Sequence, residues 1–204
     1  MLKRISEEDI DQLEKRFRTN LINSLSGFKS ANLVGTIDKA GNTNLAVFSS
    51  VIHFGANPPL LGMLSRPNSV DRHTYENIKA TGFYTINHIH KDFYTKAHQT
   101  AARYPRDISE FEAVGLNPEF RGNIPAPYVA ESSIKMGLSL VEEHKIAAND
   151  AILLVGQLKE LFLSEEILGG DGFIDLEKAE SVCISGLDSY HKTERLNRLP
   201  YAKP

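Results

Sequence analysis

One segment of the chain combines the residue types that proteins use to bind a phosphate group. Residues 65–77 read Ser-Arg-Pro-Asn-Ser-Val-Asp-Arg-His-Thr-Tyr-Glu-Asn, a predicted loop at 65–69 that leads into a predicted helix at 72–81. The first turn of a helix offers unpaired backbone N–H groups and the positive end of the helix dipole. The two arginines add bidentate donors, and the serines and the threonine add hydroxyl donors. The segment therefore has the composition of a phosphate site; the alternative is a capped surface helix with solvated arginines.

A second candidate is the predicted strand at 43–51, whose last part carries small residues. Side chains alternate across a strand, so Ala46, Phe48 and Ser50 share one face, and Val47 and Ser49 share the other. Small side chains at 46, 49 and 50 would let a flat ring approach the backbone and accept hydrogen bonds from its amides. The alternative is an ordinary half-buried strand that ends in a turn.

Histidine and cysteine are the remaining residues with reactive side chains. His88 and His90 lie two apart on a predicted strand, with His98 beyond, and three imidazoles can bind a metal ion. No carboxylate stands at a recognisable ligand spacing, so we interpret them as polar strand-edge histidines and expect no metal. Cys183 lies in an apolar, strand-like segment, where a raised thiol pKa would keep it unreactive. We expect a buried structural cysteine.

Composition narrows the possible function classes. Hydrophobic residues make up 41% of the 204-residue chain and charged residues 24%, which is typical of a folded globular protein. Lys and Arg number 23 and Asp and Glu 26, a balance that argues against a nucleic-acid partner or a polybasic membrane anchor. A single cysteine excludes an internal disulfide and fits a reducing compartment. The first residues lack a signal-peptide pattern and no apolar run reaches membrane-span length, so we expect a cytoplasmic protein without a membrane partner.

The predicted elements favour a β-barrel with helical additions. Ser6 and Asp9 have capping-box spacing ahead of a helix that Gly27 ends. Strands are predicted at 32–37, 43–51, 60–64, 83–88, 134–141 and 151–163, a hairpin turn at 38–42, a polar helical region at 93–120, an extended linker at 124–129 and a polar tail at 186–204. Many short strands with turns favour a barrel over alternating βαβ units. The dinucleotide glycine motif, the Walker loop, the hydrolase elbow and the zincin helix are absent from the sequence.

Taken in order, several segments resemble the flavin reductase-like family with the FMN-binding split-barrel fold, including its flavoredoxin branch. The matching stretches are 33–50, 57–61, 72–87, 109–116 and 155–158. The resemblance covers roughly residues 30–200, and the order and spacing of the motifs make it specific. It implies an N-terminal helical extension at 1–28, followed by a split-barrel domain at 29–204. It also implies a homodimer that binds FMN and takes hydride from NADH or NADPH.

The resemblance assigns roles to particular residues. By position, five consecutive residues would lie along the isoalloxazine ring and the ribityl chain of the flavin: Ala46, Val47, Phe48, Ser49 and Ser50. The phosphate would be surrounded by Ser65, Arg66, Arg72, Thr74 and Asn77. This is the loop that residue chemistry alone selects as a phosphate site, so the two arguments converge.

Two departures from the family pattern concern the edges of this site. His73 stands where the family usually has Asp, and it cannot cap a helix as an anion would, although a protonated imidazole could face a phosphate. The tail reads Gly-Leu-Asp-Ser-Tyr-His at 186–191, where many family reductases have a Gly-Gly or His-Gly pair near the terminal tyrosine. We expect Tyr190 to approach the flavin.

Three functions follow from the resemblance. The first is an NAD(P)H-dependent flavin reductase that passes hydride to the flavin N5, with FMN as prosthetic group or as substrate. The second is a flavoredoxin-like FMN electron carrier, without its own nicotinamide reaction, that meets a protein redox partner. The third is a split-barrel module without flavin chemistry. The sequence favours the reductase, whose hydride chemistry belongs to the cofactor and needs no side-chain general base.

Overall fold

The computed structural model describes residues 1–67 and 69–203; Asn68 of the predicted loop and Pro204 of the predicted tail lie outside the described residues. The helices are α1 (Glu7–Gln12), α2 (Lys15–Ser24), α3 (His73–Thr81), α4 (Tyr94–Gln99) and α5 (Glu110–Val114), with a 3-10 turn at Glu165–Ile167. The strands are β1 (Lys29–Ser30), β2 (Asn32–Ile37), β3 (Thr43–Phe48), β4 (Val51–Ala56), β5 (Pro59–Ser65), β6 (Phe83–His88), β7 (Pro118–Glu119), β8 (Tyr128–Val129), β9 (Ile134–Lys145), β10 (Ile152–Leu163), β11 (Val182–Ser185) and β12 (Ser189–Lys192). The prediction of a mainly β chain with helical additions is confirmed.

Seven antiparallel strands form the main sheet, in the order β3-β2-β6-β9-β10-β5-β4. The outermost strands, β3 and β4, are consecutive in the chain and are joined by Ser49 and Ser50 alone. The sheet therefore curls until its two edges come together at this link. The long β9–β10 pair has register shifts at Val155/Gly156 and at Leu158/Glu160, and such irregularities bend a strand and add to the curl.

Two apolar clusters stabilise this sheet from opposite sides. Leu33 and Val34 are both fully buried, and because neighbouring side chains point to opposite faces, β2 is covered on both. The cluster around Val34 includes Ile78 of α3, which packs the helix against the barrel. The cluster around Leu33 includes Phe111 of α5 and Ile184 of β11, so the chain segments outside the barrel form the second layer.

The predicted N-terminal helix is two helices. The capping box is present, since Ser6 Oγ accepts from Asp9 N–H and Asp9 Oδ2 accepts from Ser6 N–H. Leu13 has extended backbone angles and ends α1, and Glu14 starts α2 by accepting hydrogen bonds from two backbone N–H groups. Neither helix buries a residue. Across the described residues, no helix is both long and apolar enough to span a lipid bilayer.

Three predicted boundaries are wrong. The second predicted strand ends at Phe48, and the chain then forms β4, which pairs with β5. The region 93–120 holds two short helices, α4 and α5, and the short strand β7, because its prolines and polar residues leave most of it irregular. The predicted polar tail contains β12, which pairs with β11 in a separate sheet with β1.

Candidate functional site

The predicted phosphate loop is anchored at both of its ends. β5 ends at Ser65, a buried residue whose Oγ donates to the Arg66 carbonyl at 3.3 Å. Just before α3, the Arg72 backbone N–H donates to Glu76 Oε1 at 3.0 Å. The Arg72 side chain turns back along the loop, and its Nε donates to the Pro67 carbonyl at 3.3 Å. The anchored guanidinium still has its terminal N–H groups to offer a ligand.

The charges of Arg66 and Arg103 both act on Arg72, which immediately precedes the first turn of α3. Burial lowers the pKa of the Arg72 guanidinium, and the positive charges of Arg66 and Arg103 lower that pKa further. In the part of the chain that the structure describes, none of these three arginines forms an ion pair with a carboxylate. Like charges gathered without a counter-ion create a positive potential that attracts an anion. Arg103 was missed from the sequence because it lies far along the chain from the loop.

Thr74 and Asn77 belong to a buried polar network. Asn44 Nδ2 donates to Thr74 Oγ1 at 3.0 Å and to Thr36 Oγ1 at 3.3 Å. Asn77 Nδ2 also donates to Thr36 Oγ1, at 3.1 Å. The network ties α3 to β2 and β3, so Asn77 fixes the helix. Thr74 accepts a hydrogen bond here, and its own hydroxyl proton therefore remains available to a ligand.

His73, the first residue of α3, stands near the buried carboxyl of Glu110. Glu110 Oε2 accepts the backbone N–H of Leu45 at 2.9 Å, which satisfies a donor on the free edge of β3. Burial raises the pKa of the Glu110 carboxyl, while the hydrogen bond from Leu45 and the charge of His73 oppose that rise. Glu110 therefore fixes the strand that leads into the β3–β4 link, and its acidic character alone gave no sequence signal for this role.

The β3–β4 link lies against the start of the phosphate loop. Ala46, Val47, Phe48, Ser49 and Ser50 are all partly exposed, as a surface for a ligand must be. Ser50 Oγ donates to the Leu64 carbonyl at 2.8 Å, and Leu64 immediately precedes Ser65. Phe48 packs on the barrel cluster and Val47 on the other, as the predicted alternation requires. The structure thus brings the predicted ring-binding strand next to the predicted phosphate loop.

Tyr190 lies on β12, against α4. Its hydroxyl is 3.3 Å from His98 Nδ1, and its ring lies 5.5 Å from that of Tyr94. Burial and the nearby negative charge of Asp188 raise the pKa of Tyr190 to about 12. Tyr190 shares a packed cluster with Val47, which is its link to the candidate site.

The three histidines considered as metal ligands have separate partners. His88 is half-buried, with Nδ1 3.3 Å from Ser181 Oγ, and loss of contact with water lowers the pKa of its ring to about 4, which keeps the ring neutral. His98 contacts Tyr190. His90 lies near two carboxylates, Asp92 and Glu180, but the Lys91 ammonium pairs with both of them. Cys183 is only partly buried, not fully buried as predicted, and this partial burial raises the pKa of its thiol.

The tail after β12 folds back on the turn at 169–172. Arg198 pairs with Asp171 and stacks over the Phe173 ring at 4.0 Å, and Arg195 pairs with Asp175. A cavity of about 580 Å³ lies between this tail and the turn. None of the predicted flavin ligands lines it, so the tail has its own surface, separate from the arginine cluster.

The residues present fit the phosphate end of a flavin mononucleotide. Among the described residues, Arg66 and Arg72 have no carboxylate partner, and they lie with the Thr74 hydroxyl at or near the N-terminus of α3, next to the partly exposed β3–β4 link. A phosphate monoester needs charge-assisted donors of this kind, and a flat ring needs an accessible strand backbone next to them.

Comparison with known proteins agrees with this geometry. The family model described as flavin reductase like domain matches residues 26–173. A split barrel domain protein from Shewanella frigidimarina NCIMB 400, assigned as a flavin reductase, is 52% identical, with a TM-score of 0.95 over 98% of this chain and 100% of that one. Nitrilotriacetate monooxygenase component B from Bacillus cereus has a TM-score of 0.84 at 21% identity, over 98% of this chain and 99% of that one.

Flavoredoxin of Desulfovibrio vulgaris (Miyazaki F) has a TM-score of 0.73 at 21% identity, over 86% of this chain and 92% of that one. At this level of identity the last two likenesses show a shared fold. The curled sheet described above is the split barrel named for the Shewanella structure. With the family model matching well over half of its length, the chain belongs to the family of flavin reductase like domains.

Proposed function

We propose that the protein is an FMN-binding oxidoreductase, an NAD(P)H-dependent flavin reductase that passes hydride to the flavin N5. The observation that carries the proposal is the set of arginines near the start of α3 that have no carboxylate partner in the described part of the chain, next to the β3–β4 link, in a chain of the flavin reductase family. Neither the fold alone nor a cluster of charge alone would single out a flavin.

The phosphate is held by groups from both ends of the loop. Arg66 and Arg72 supply charge and Thr74 supplies a hydroxyl donor, beside the free N–H groups of the first turn of α3. The Ser65 hydroxyl, which donates to the Arg66 carbonyl, would have to turn toward the phosphate to join them. His73 is at the edge of this site and adds a positive charge when protonated. Asn77 acts by fixing α3 rather than by touching the phosphate, because its side chain is buried and its amide donates to Thr36 of β2.

The residues that would hold the flavin ring are Ala46, Val47, Phe48, Ser49 and Ser50. Backbone amides of the link orient the ring edge, and the small serines let it approach. Ser50 Oγ is committed to Leu64, so its side chain holds the link in place. When bound, FMN supplies the hydride and electron-transfer chemistry. The chain supplies position, charge and shelter from water, which is consistent with the lack of an acid–base pair at the link.

A flavoredoxin-like electron carrier is the second candidate, and one observation favours it. Tyr190 stands where the family tail approaches the nicotinamide side, but its ring and hydroxyl are engaged with α4. If this holds when flavin is bound, the nicotinamide lacks that contact, and electrons would pass to or from a protein partner instead.

Three further features belong to the proposal. A homodimer is supported by exposed apolar side chains on the N-terminal segment: Phe17, Ile22, Leu25 and Phe28. Residues 1–28 act as a helical extension to the split-barrel domain at 29–204. A cytoplasmic location fits the single cysteine.

The discriminating experiment is anaerobic mixing of the purified protein and FMN with NADH, and separately with NADPH. Rapid bleaching of the flavin absorption, faster than with the nicotinamide and FMN alone, is the expected result and identifies the donor. Flavin that binds but is reduced no faster than in the protein-free control would contradict the reductase and favour the electron carrier.

A further inference from the structure

The loop between α4 and α5 is held against the start of α3. Arg106 of this loop forms an ion pair with Glu76. The same Glu76 carboxylate accepts the backbone N–H of Arg72 at 3.0 Å through Oε1. One carboxylate therefore joins the loop to the residue that precedes α3, and Arg103 is three positions from that anchor.

Arg103 and Arg106 have different electrostatic environments although they share a loop. Arg106 is neutralised by Glu76. Arg103 has no carboxylate partner within the described part of the chain, and its charge acts on the Arg72 guanidinium. An exposed arginine normally turns toward solvent or a carboxylate, and one whose charge acts on a second arginine costs free energy unless an anion offsets the repulsion.

We propose that Arg103 is a third phosphate-binding arginine of this site, resting on the proposed flavin function, and that it selects phosphorylated flavin over riboflavin. Arg66 and Arg72 approach from the β5–α3 loop, and Arg103 approaches from the α4–α5 loop. Two segments of the chain that meet only in the folded protein would thereby bind the phosphate. A phosphate monoester dianion matches this surplus of positive charge, whereas riboflavin offers only a hydroxyl there.

The test compares FMN and riboflavin binding by flavin fluorescence quenching at low ionic strength. Arg103→Gln should lower the affinity for FMN about tenfold. This effect is at the low end for a charge-assisted contact, because the Arg103 side chain is exposed. Riboflavin affinity should not change, and Arg103→Lys should keep part of the FMN affinity. Arg121→Gln is the matched control, because Arg121 pairs with Glu119 and stacks on Phe162 away from the loop.

Two results would overturn the assignment of Arg103. Unchanged FMN affinity in Arg103→Gln would show that its charge does not reach the phosphate. Equal weakening of FMN and riboflavin would show a structural role for Arg103. Both outcomes leave the flavin function standing, provided that the wild-type protein binds FMN. A wild-type protein that binds no flavin would instead contradict the proposed function itself.

Discussion

Ser50 and Leu64 exchange two hydrogen bonds across the barrel edge. Ser50 Oγ donates to the Leu64 carbonyl at 2.8 Å, and the Leu64 N–H donates to the Ser50 carbonyl at 3.4 Å. The pair lies where β3 passes into β4 and where β5 runs into the arginine loop. It sets the spacing between the strand proposed to bind the flavin ring and the loop proposed to bind the phosphate.

Ser50→Ala should loosen this junction without changing the charge of the site. Loss of one solvent-accessible hydrogen bond should lower the free energy of unfolding by about 0.5–1 kcal/mol and lower the affinity for FMN a few-fold. Urea unfolding and an FMN titration measure the two effects. Ser164→Ala is the control, since Ser164 starts the 3-10 turn without a side-chain capping bond. If the two variants behave alike, the junction has no special role.

Arg72→Ala should reduce FMN affinity by about 1–3 kcal/mol, because it removes a charge-assisted donor that the loop holds in place. Riboflavin binding should change far less, since riboflavin has no phosphate. Isothermal titration calorimetry with FMN and with riboflavin measures the two affinities separately. An Arg72→Ala protein that binds FMN as tightly as wild type would contradict the placement of the phosphate.

Asn44→Ala should destabilise the fold by roughly 1–3 kcal/mol, because in this buried network Thr74 loses its amide donor and Thr36 keeps only the one from Asn77. The expected observation is a lower urea midpoint with an unchanged slope. Asn42→Ala is the control, since the Asn42 amide donates to Asp38 in an exposed turn. A midpoint shift no larger than that of the control would show that the network contributes little.

Glu160 accepts hydrogen bonds from residues 123–128, the segment that leads into β8. Its carboxylate accepts the Tyr128 hydroxyl at 2.7 Å and the backbone N–H groups of Asn123 and Ile124. Partial burial raises the pKa of Glu160, but these donors outweigh it and leave the pKa below the ordinary 4.5. A carboxyl with a lowered folded pKa adds stability above its unfolded pKa, and the stability is lost as the pH falls through the folded value.

Glu160→Gln should therefore cost about 1–3 kcal/mol at pH 7, where the carboxylate would accept these hydrogen bonds. At pH 3 the difference between the two proteins should narrow, because wild-type Glu160 begins to bind a proton and the amide of the variant cannot. Urea unfolding at both pH values measures this, with exposed Glu165→Gln as the control. A penalty that is the same at pH 3 and pH 7 would contradict the linkage.

Sequence patterns predicted the elements whose signals are local. The strands at 32–37 and 83–88 match β2 and β6, and α3 ends at Gly82 in the left-handed conformation that glycine favours. β4 was missed because its side chains are mostly exposed and proline follows it closely. β12 was missed for a similar reason: its short polar run forms a strand only by pairing with β11.

The residues of the candidate site were likewise predictable only where their signal is local in sequence. The phosphate loop was predictable because its arginines, hydroxyls and helix start are contiguous. Arg103 and Glu110 act on α3 and β3 from a region that is distant in sequence, and only the folded chain brings them there. Thr36 and Asn44 were missed because polar residues on strands look alike whether they face solvent or a buried network.

The central claim is that this chain binds FMN through its phosphate, and a titration of the wild-type protein tests it most directly. Flavin fluorescence is followed at low ionic strength as protein is added to FMN, and again with riboflavin. The account predicts saturable quenching of FMN and markedly weaker binding of riboflavin. FMN that stays unquenched, or the two flavins binding with equal affinity, would contradict it.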